Sequence, residues 1–302
     1  MDTIPPSPKL TRLASALIER VDTQSAPFMT EYQIFLLLRE LYKTGKGLFL
    51  RSPLPTVTDY RRNKNLLVKH SILVRDYDYT AAYRILSKQN LSADDKACLI
   101  DPFCYISHLS AMQRYGLTDR RPEALHLTAP ATPLFKILAE EQVHKDYGDE
   151  LDTLEAEYVF PLRRITHPPH VRGRPLSVLY TKHHGLSLPV RGTYARVSTI
   201  GQTFLDMLES PEKCGGMVHV LEIWQEHAKT YLTDIIPAIH QAPKSIHKVR
   251  AGYILDEVLG IDSPEIQSWQ SFAQRGGSRV LDPTKPFAST YSEKWMISIN
   301  AG

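Results

Sequence analysis

The order of patterns between residues 30 and 86 constrains this 302-residue chain more than any other feature. Thr30-Glu31 precedes apolar residues at helical spacing, Tyr32, Ile34, Phe35, Leu38, Leu41 and Tyr42, and the pattern stops at Gly45 and Gly47. A hydroxyl and an acid satisfy the free amides of a first turn and glycine ends a helix, so this spacing predicts one amphipathic helix. The apolar run Leu48-Phe49-Leu50 follows and fits a short strand. Thr56 to His70 then predicts a polar helix, with Val57, Leu66, Leu67 and Ile72 turned inward. Its other face carries Tyr60, Arg61, Arg62, Lys64, Asn65, Lys69 and His70. Two strand-like runs, Ile72 to Arg75 and Ala82 to Leu86, are joined by Asp76-Tyr77-Asp78-Tyr79 and predict a hairpin.

Helix, short strand, helix and hairpin is the order of a winged helix-turn-helix, in which the last helix enters the major groove and the hairpin rests on the backbone. The residue types suit that task. Arg61, Arg62 and Lys64 supply phosphate or guanine contacts, Asn65 can pair with adenine, and Thr56, Thr58 and Tyr60 offer hydroxyls to phosphate. Arg51, Lys69, Arg75, Tyr77 and Arg84 complete the expected DNA-binding set. The overall charge of +3 hides an asymmetry: residues 1–90 hold 14 basic against 8 acidic side chains, and residues 91–302 hold 22 against 25. From Arg51 to Lys88 the balance is eight to three, so the excess lies on the proposed reading unit, where cations near phosphates release counterions. Charge alone fits a solvated basic face equally well, and the same architecture also serves protein contacts.

Asp94-Asp95 marks the passage out of the hairpin, which places a boundary near residue 95 between a DNA-binding domain, 1–95, and a second domain, 96–302. Pro102 is expected to open a helix through Ile106, Leu109, Ala111, Met112 and Tyr115, closed by Gly116. Extended stretches are expected around residues 124–129, 158–166, 176–181 and 193–198, with an acidic helical segment over 133–154. Helices are expected again over 198–209, 216–231, 232–241 and 245–260. The fold class is therefore α+β, an N-terminal winged helix-turn-helix followed by a larger mixed α/β domain.

Little in the chain suggests catalysis, a metal or a cofactor. Glycine-rich phosphate cradles and a G-x-S-x-G elbow are missing from the sequence. Cys98, Cys104 and Cys214 show no metal-like spacing and read as reduced, buried thiols. His167-Pro168-Pro169-His170 and His183-His184 lack partners at familiar ligand distances, and Glu222, Glu226 and His227 read as a solvated helix face. Glu155 and Glu157 with Lys182 come nearest to the acid cluster of a metal-dependent nuclease, the alternative function. Arg275-Gly276-Gly277-Ser278-Arg279 reads as a turn. No run approaches the length of a membrane span, and the proline-rich start Met1 to Lys9 is unlike a secretion signal, so no membrane partner and a cytoplasmic location are expected.

Four motifs in the expected second domain add a resemblance. Tyr105-Ile106-Ser107-His108-Leu109-Ser110-Ala111-Met112, continuing to Tyr115-Gly116-Leu117-Thr118, resembles the helix that opens the second domain of AbiEi-family antitoxins. Arg196-Val197-Ser198 through Leu208 and Pro211 to Gly216, then Val249 to Asp256, then Leu281-Asp282-Pro283 with Lys294 to Asn300, are similar to later family segments in the same order. Gly201-Gln202-Thr203 and Ala251 depart from the pattern. The resemblance implies a type IV antitoxin of an abortive-infection, phage-defence pair. Such a protein is a repressor whose winged helix binds double-stranded DNA at inverted repeats in its own promoter, and it opposes a cognate AbiEii-like nucleotidyltransferase toxin.

Overall fold

The computed structural model describes residues 10–45, 48, 50, 52–274 and 279–301, and it divides the mixed α and β chain into two units. One comprises residues 1–103 and 135–172, the other residues 104–134 and 173–302. Residue 95, the expected boundary, lies inside a helix of the first unit.

The first unit begins with α1 (Arg12–Asp22), β1 (Phe28–Thr30), α2 (Glu31–Thr44), α3 (Val57–Lys69), β2 (Leu73–Arg75), β3 (Ala82–Ile85) and α4 (Ala93–Ile100). Helix α1, not anticipated from the sequence, buries Leu13, Ala14, Leu17 and Val21, and its N-cap Thr11 accepts from the amide of Ala14. Helices α2 and α3 each open with a reciprocal cap, Thr30 with Gln33 and Thr56 with Asp59, and such caps contribute about 1 kcal/mol apiece. The strands run antiparallel in the order β1-β3-β2, with Phe28 opposite Arg84 and Leu73 opposite Ile85. The short strand thus precedes α2 rather than following it: Leu48 and Leu50 stand in no strand and pack on the core, while Gly47 and Phe49 lie outside the described residues. Three residues buried without alternation, Phe28-Met29-Thr30, carry no period to read.

The remainder of this unit is 135–147 of α6 (Thr132–Tyr147), a short turn of 3-10 helix over Gly148–Thr153, an irregular segment and β6 (His170–Val171). Residues 158–166, expected to be extended, form no strand. They cover α2 instead. The Phe160 ring stacks on Phe35 with centroids 5.2 Å apart and meets Tyr60 edge-on at 4.7 Å. Arg39, only 5% exposed, donates to Glu150 at 2.6 Å with its guanidinium 4.4 Å over the Tyr147 ring. Lys43 reaches the same carboxylate at 2.6 Å, and the Tyr32 hydroxyl donates to Asp146 at 2.9 Å.

The second unit contributes five strands to a sheet, β4 (Tyr105–Ile106), β5 (Leu125–Pro130), β7 (Arg174–Thr181), β8 (Ser187–Pro189) and β9 (Arg196–Ser198), in the order β7-β5-β4-β9-β8. Pro102 opens no helix: β4 intervenes, and α5 (His108–Arg114) starts on His108, held at φ 51°, before ending at Gly116 with φ 68°. Helices α7 (Ile200–Glu209), α8 (Met217–His227), α9 (Leu232–Gln241) and α10 (Ser245–Gly252) start close to their expected positions, α11 (Pro264–Ser268) was not expected, and β10 (Tyr291–Ser292) pairs with β11 (Ile297–Ser298). Phe204, Trp224, Trp269 and Trp295 centre the core. At Gly252 a Cβ would stand 2.2 Å from the Trp295 ring, so only glycine lets the helix pass. Among the described residues no helix is long and apolar enough to cross a membrane.

Burial lowers the imidazoles of His108 to about 3 and of His126 and His247 to about 4, and it raises the Asp206 carboxyl to about 7. The imidazoles bind protons in the unfolded chain that the fold excludes, so their contribution is present above pH 6.5 and is lost as pH falls toward 4. Asp206 acts in the opposite sense, favouring the fold below its ordinary 3.8 and losing that advantage as pH rises through about 7. Three imidazoles outweigh one carboxyl. Urea unfolding of the second unit is expected to weaken from pH 6.5 to 4.5, and His126→Gln to reduce that dependence by about one proton; an unchanged slope would refute the assignment.

Candidate nucleic-acid interface

Helix α3 is sorted into two faces by the packing of its inner side. Tyr60, Asn63 and Leu67, each 2% exposed, point into the first unit, where Asn63 donates to the Asp59 carbonyl at 2.9 Å. The opposite stripe, Thr58, Arg61, Arg62, Asn65 and Lys69, is exposed at spacings of three and four residues, with Val68 beside it. Five of the expected contacts therefore share one solvent-facing surface. The remaining α3 residues do not. Tyr60 is a correction: its ring lies between Phe35 and Phe160 and its buried hydroxyl has no hydrogen-bond partner among the described residues, so it offers phosphate nothing. The Thr56 hydroxyl donates to Asp59 at 2.8 Å as part of the cap. Lys64 bends back over the rings of Tyr60 and Tyr83, 5.6 Å from each, and pairs with Glu31 at 3.2 Å. Arg51 lies outside the described residues.

The hairpin presents a second set. Tyr77, at its tip, is 96% exposed. Arg75 is exposed and its Nε donates to the Thr80 carbonyl at 2.8 Å, bridging the turn. With Arg84 and Arg172 they line a shallow polar depression. The turn is fixed from behind by a group the sequence reading missed: Lys96 of α4, 2% exposed, places its ammonium 2.7 Å from Asp76 and 2.6 Å from Asp78, and 5.1 Å over the Phe28 ring. Asp76 also accepts from the amides of Asp78 and Tyr79. Beyond it runs a buried chain in which the Tyr79 hydroxyl meets His167 Nδ1 at 2.9 Å and His167 Nε2 meets Asp101 at 2.9 Å. Both ring nitrogens of His167 are thereby occupied, whereas His170 is exposed in β6. An aspartate in a hairpin turn and a lysine in a helix are common surface features, so only their meeting reveals the anchor.

The acids considered for chemistry are dispersed. Glu155 and Glu157 are exposed around a single turn in the first unit, and Lys182 belongs to the second. On α8, Glu222 lies 3.3 Å from His219, and Glu226 lies 3.7 Å from His227. Cys98, Cys104 and Cys214 are buried thiols. The motif residues of the second unit do structural work. Arg250, 5% exposed, donates to the carbonyls of Leu208 and Val280, and Asn300 Nδ2 donates to those of Asp282, Lys285 and Pro286. Pro211–Cys214 forms a turn closed by Gly215 and Gly216 at φ 91° and 90°.

No family model and no curated protein matches the chain. Among solved structures, the crystal structure of the RV2827C protein from Mycobacterium tuberculosis aligns with a TM-score of 0.46 at 12% identity, over 96% of this chain and 92% of that one.

Two substitutions separate the packing from the exposed stripe. Lys96→Met leaves the buried Asp76 and the half-buried Asp78 carboxylates without their cation and is expected to cost about 3–5 kcal/mol in urea unfolding, with Asp76→Asn/Asp78→Asn in the same chain recovering most of the loss. Tyr60→Phe removes only a hydroxyl without a partner; stability is expected to hold or rise, and a loss above about 1 kcal/mol would show that the hydroxyl is bonded.

Proposed function

We propose that the first unit is a winged helix that binds double-stranded DNA, and that the protein is a transcriptional repressor serving as the antitoxin of a type IV toxin–antitoxin pair. The observation that carries the DNA reading is the exposed stripe Thr58, Arg61, Arg62, Asn65 and Lys69 on a helix whose other face is buried. The element order α1-β1-α2-α3-β2-β3, with β3 between β1 and β2, supports it, because that arrangement sets a helix beside a projecting hairpin.

In this reading α3 enters the major groove. A guanidinium of Arg61 or Arg62 matches the two acceptors of guanine or a phosphate, and the Asn65 amide matches adenine. Lys69 neutralises phosphate, and Arg75, Arg84 and Tyr77 meet the backbone from the hairpin. Lys64 contributes less, being spent on Glu31. Repression follows from occupation of the promoter and needs neither a metal nor a catalytic group. The antitoxin role rests on the four ordered motifs between residues 105 and 300, and a neighbouring gene for a nucleotidyltransferase-like protein is the observation that would support it first.

The test is a fluorescence-anisotropy titration against the chain's own upstream DNA and a scrambled duplex, at two salt concentrations, with and without magnesium. Salt-sensitive preference for the upstream DNA without cutting supports repression. Absence of binding discards it in favour of a protein-contact module, and magnesium-dependent cutting favours a nuclease. Arg61→Ala and Arg62→Ala are each expected to weaken binding by about 1–3 kcal/mol if they read bases, or to lower the salt slope by about 1 if they hold phosphate; unchanged affinity in both variants would remove α3 as the reading surface.

A further inference from the structure

The first unit contains a cavity of about 270 Å³ for which DNA binding has no use. Its walls are mostly apolar and include Leu36, Ile100, Phe103, Phe135, Phe160 and Leu162. Among the described residues that line it the charges are unbalanced: Glu31, Asp101 and Asp146 stand against one cation, Arg163. Asp101 is engaged by His167 at 2.9 Å, and Glu31 shares Lys64 at 3.2 Å. Asp146 is different, because its two oxygens accept from neutral donors, the Tyr32 hydroxyl at 2.9 Å and the Gln142 amide at 2.9 Å. Both donors also line the cavity.

An apolar recess with a few convergent polar groups is the usual form of a small-molecule site. Here the polar element is a carboxylate oriented by two hydrogen bonds and not neutralised by them. A carboxylate in that position takes an ammonium through a charge-assisted bond, and aromatic walls add attraction for a cation. We infer that this cavity binds a small organic cation, an aromatic or aliphatic body bearing one primary ammonium, with the ammonium on Asp146 and the body against Leu36, Phe135 and Phe160. A carboxylate ligand of the same shape meets three acids and is rejected. A neutral alcohol keeps the apolar contribution and loses the charged bond. The inference is independent of the DNA-binding reading and goes beyond it.

Isothermal titration calorimetry of the full chain with phenylbutylamine, phenylbutanol and phenylbutyrate tests it. The amine is expected to bind at one site at least about tenfold more tightly than the alcohol, a difference of about 1.4 kcal/mol, and the acid not at all. Asp146→Asn retains an acceptor for Tyr32 and is expected to erase the amine's advantage while leaving the alcohol unchanged. Leu36→Trp fills the recess and is expected to abolish binding of both, with circular dichroism reporting whether it folds. Equal binding of amine and alcohol, binding of the acid, no binding of the amine to the folded wild-type chain, or an amine affinity untouched by Asp146→Asn would each overturn the assignment.

Discussion

Helix α2 presents apolar side chains on more than one face, and a single layer of neighbours cannot cover it. Ile34, Phe35, Leu37, Leu38 and Leu41 are all buried, together with the guanidinium of Arg39. Helices α1 and α3 pack on one side. The rest of the cover comes from Tyr147 and Phe160, more than a hundred residues further along the chain, with Glu150 closing over Arg39 and Lys43. A buried guanidinium is tolerated only where carboxylate and ring partners replace its water, and both are supplied by this returning segment. The orientation of α3 follows, because Tyr60 is clasped between Phe35 of α2 and Phe160.

That clasp explains why the stripe on α3 is narrow. With Tyr60, Asn63 and Leu67 committed inward and Lys64 held by Glu31, five polar side chains and Val68 remain outward from a helix of 13 residues. The hairpin obeys a similar logic with opposite chemistry. Its strands are too short to fix a turn by pairing alone, and the turn is held instead by a buried ammonium between two carboxylates. Such a triad is costly to desolvate, but it is directional, and it leaves the tip residue Tyr77 free while its neighbours are immobilised.

Much of the architecture was legible where the local signal was strong. The periodic runs of α2, α3 and α7 to α9 lie within a few residues of their expected bounds, as does the hairpin of β2 and β3, while α10 gives way after Gly252 to a π-helical turn over Tyr253–Val258. Strand β1 was hidden because three consecutive buried residues have no alternation, and β4 because two residues look like the start of the helix that follows. The outward residues of α3 were legible as a set, but Tyr60 was not distinguishable from them, since an amphipathic ring suits both a core and a surface. Lys96 and Asp101 escaped, and His167 was weighed only beside His170, because their meaning lies in partners 18 to 88 residues away, a separation that no local pattern encodes.

The discontinuity of the first unit bears on the order in which the protein can mature. Its segments are separated by residues 104–134, which belong to the other unit. A nascent chain that has emerged only as far as α4 already carries α3 and the hairpin, yet its α2 still lacks Tyr147, Glu150 and Phe160. The aromatic clasp on Tyr60 closes only after residue 160 has been synthesised, so the helix proposed to read DNA is among the first parts made and among the last to be fixed. By the same reasoning, an N-terminal fragment cut near residue 95 would expose Phe35 and Arg39 to water, and the smallest self-sufficient form of this unit has to include the intervening strands.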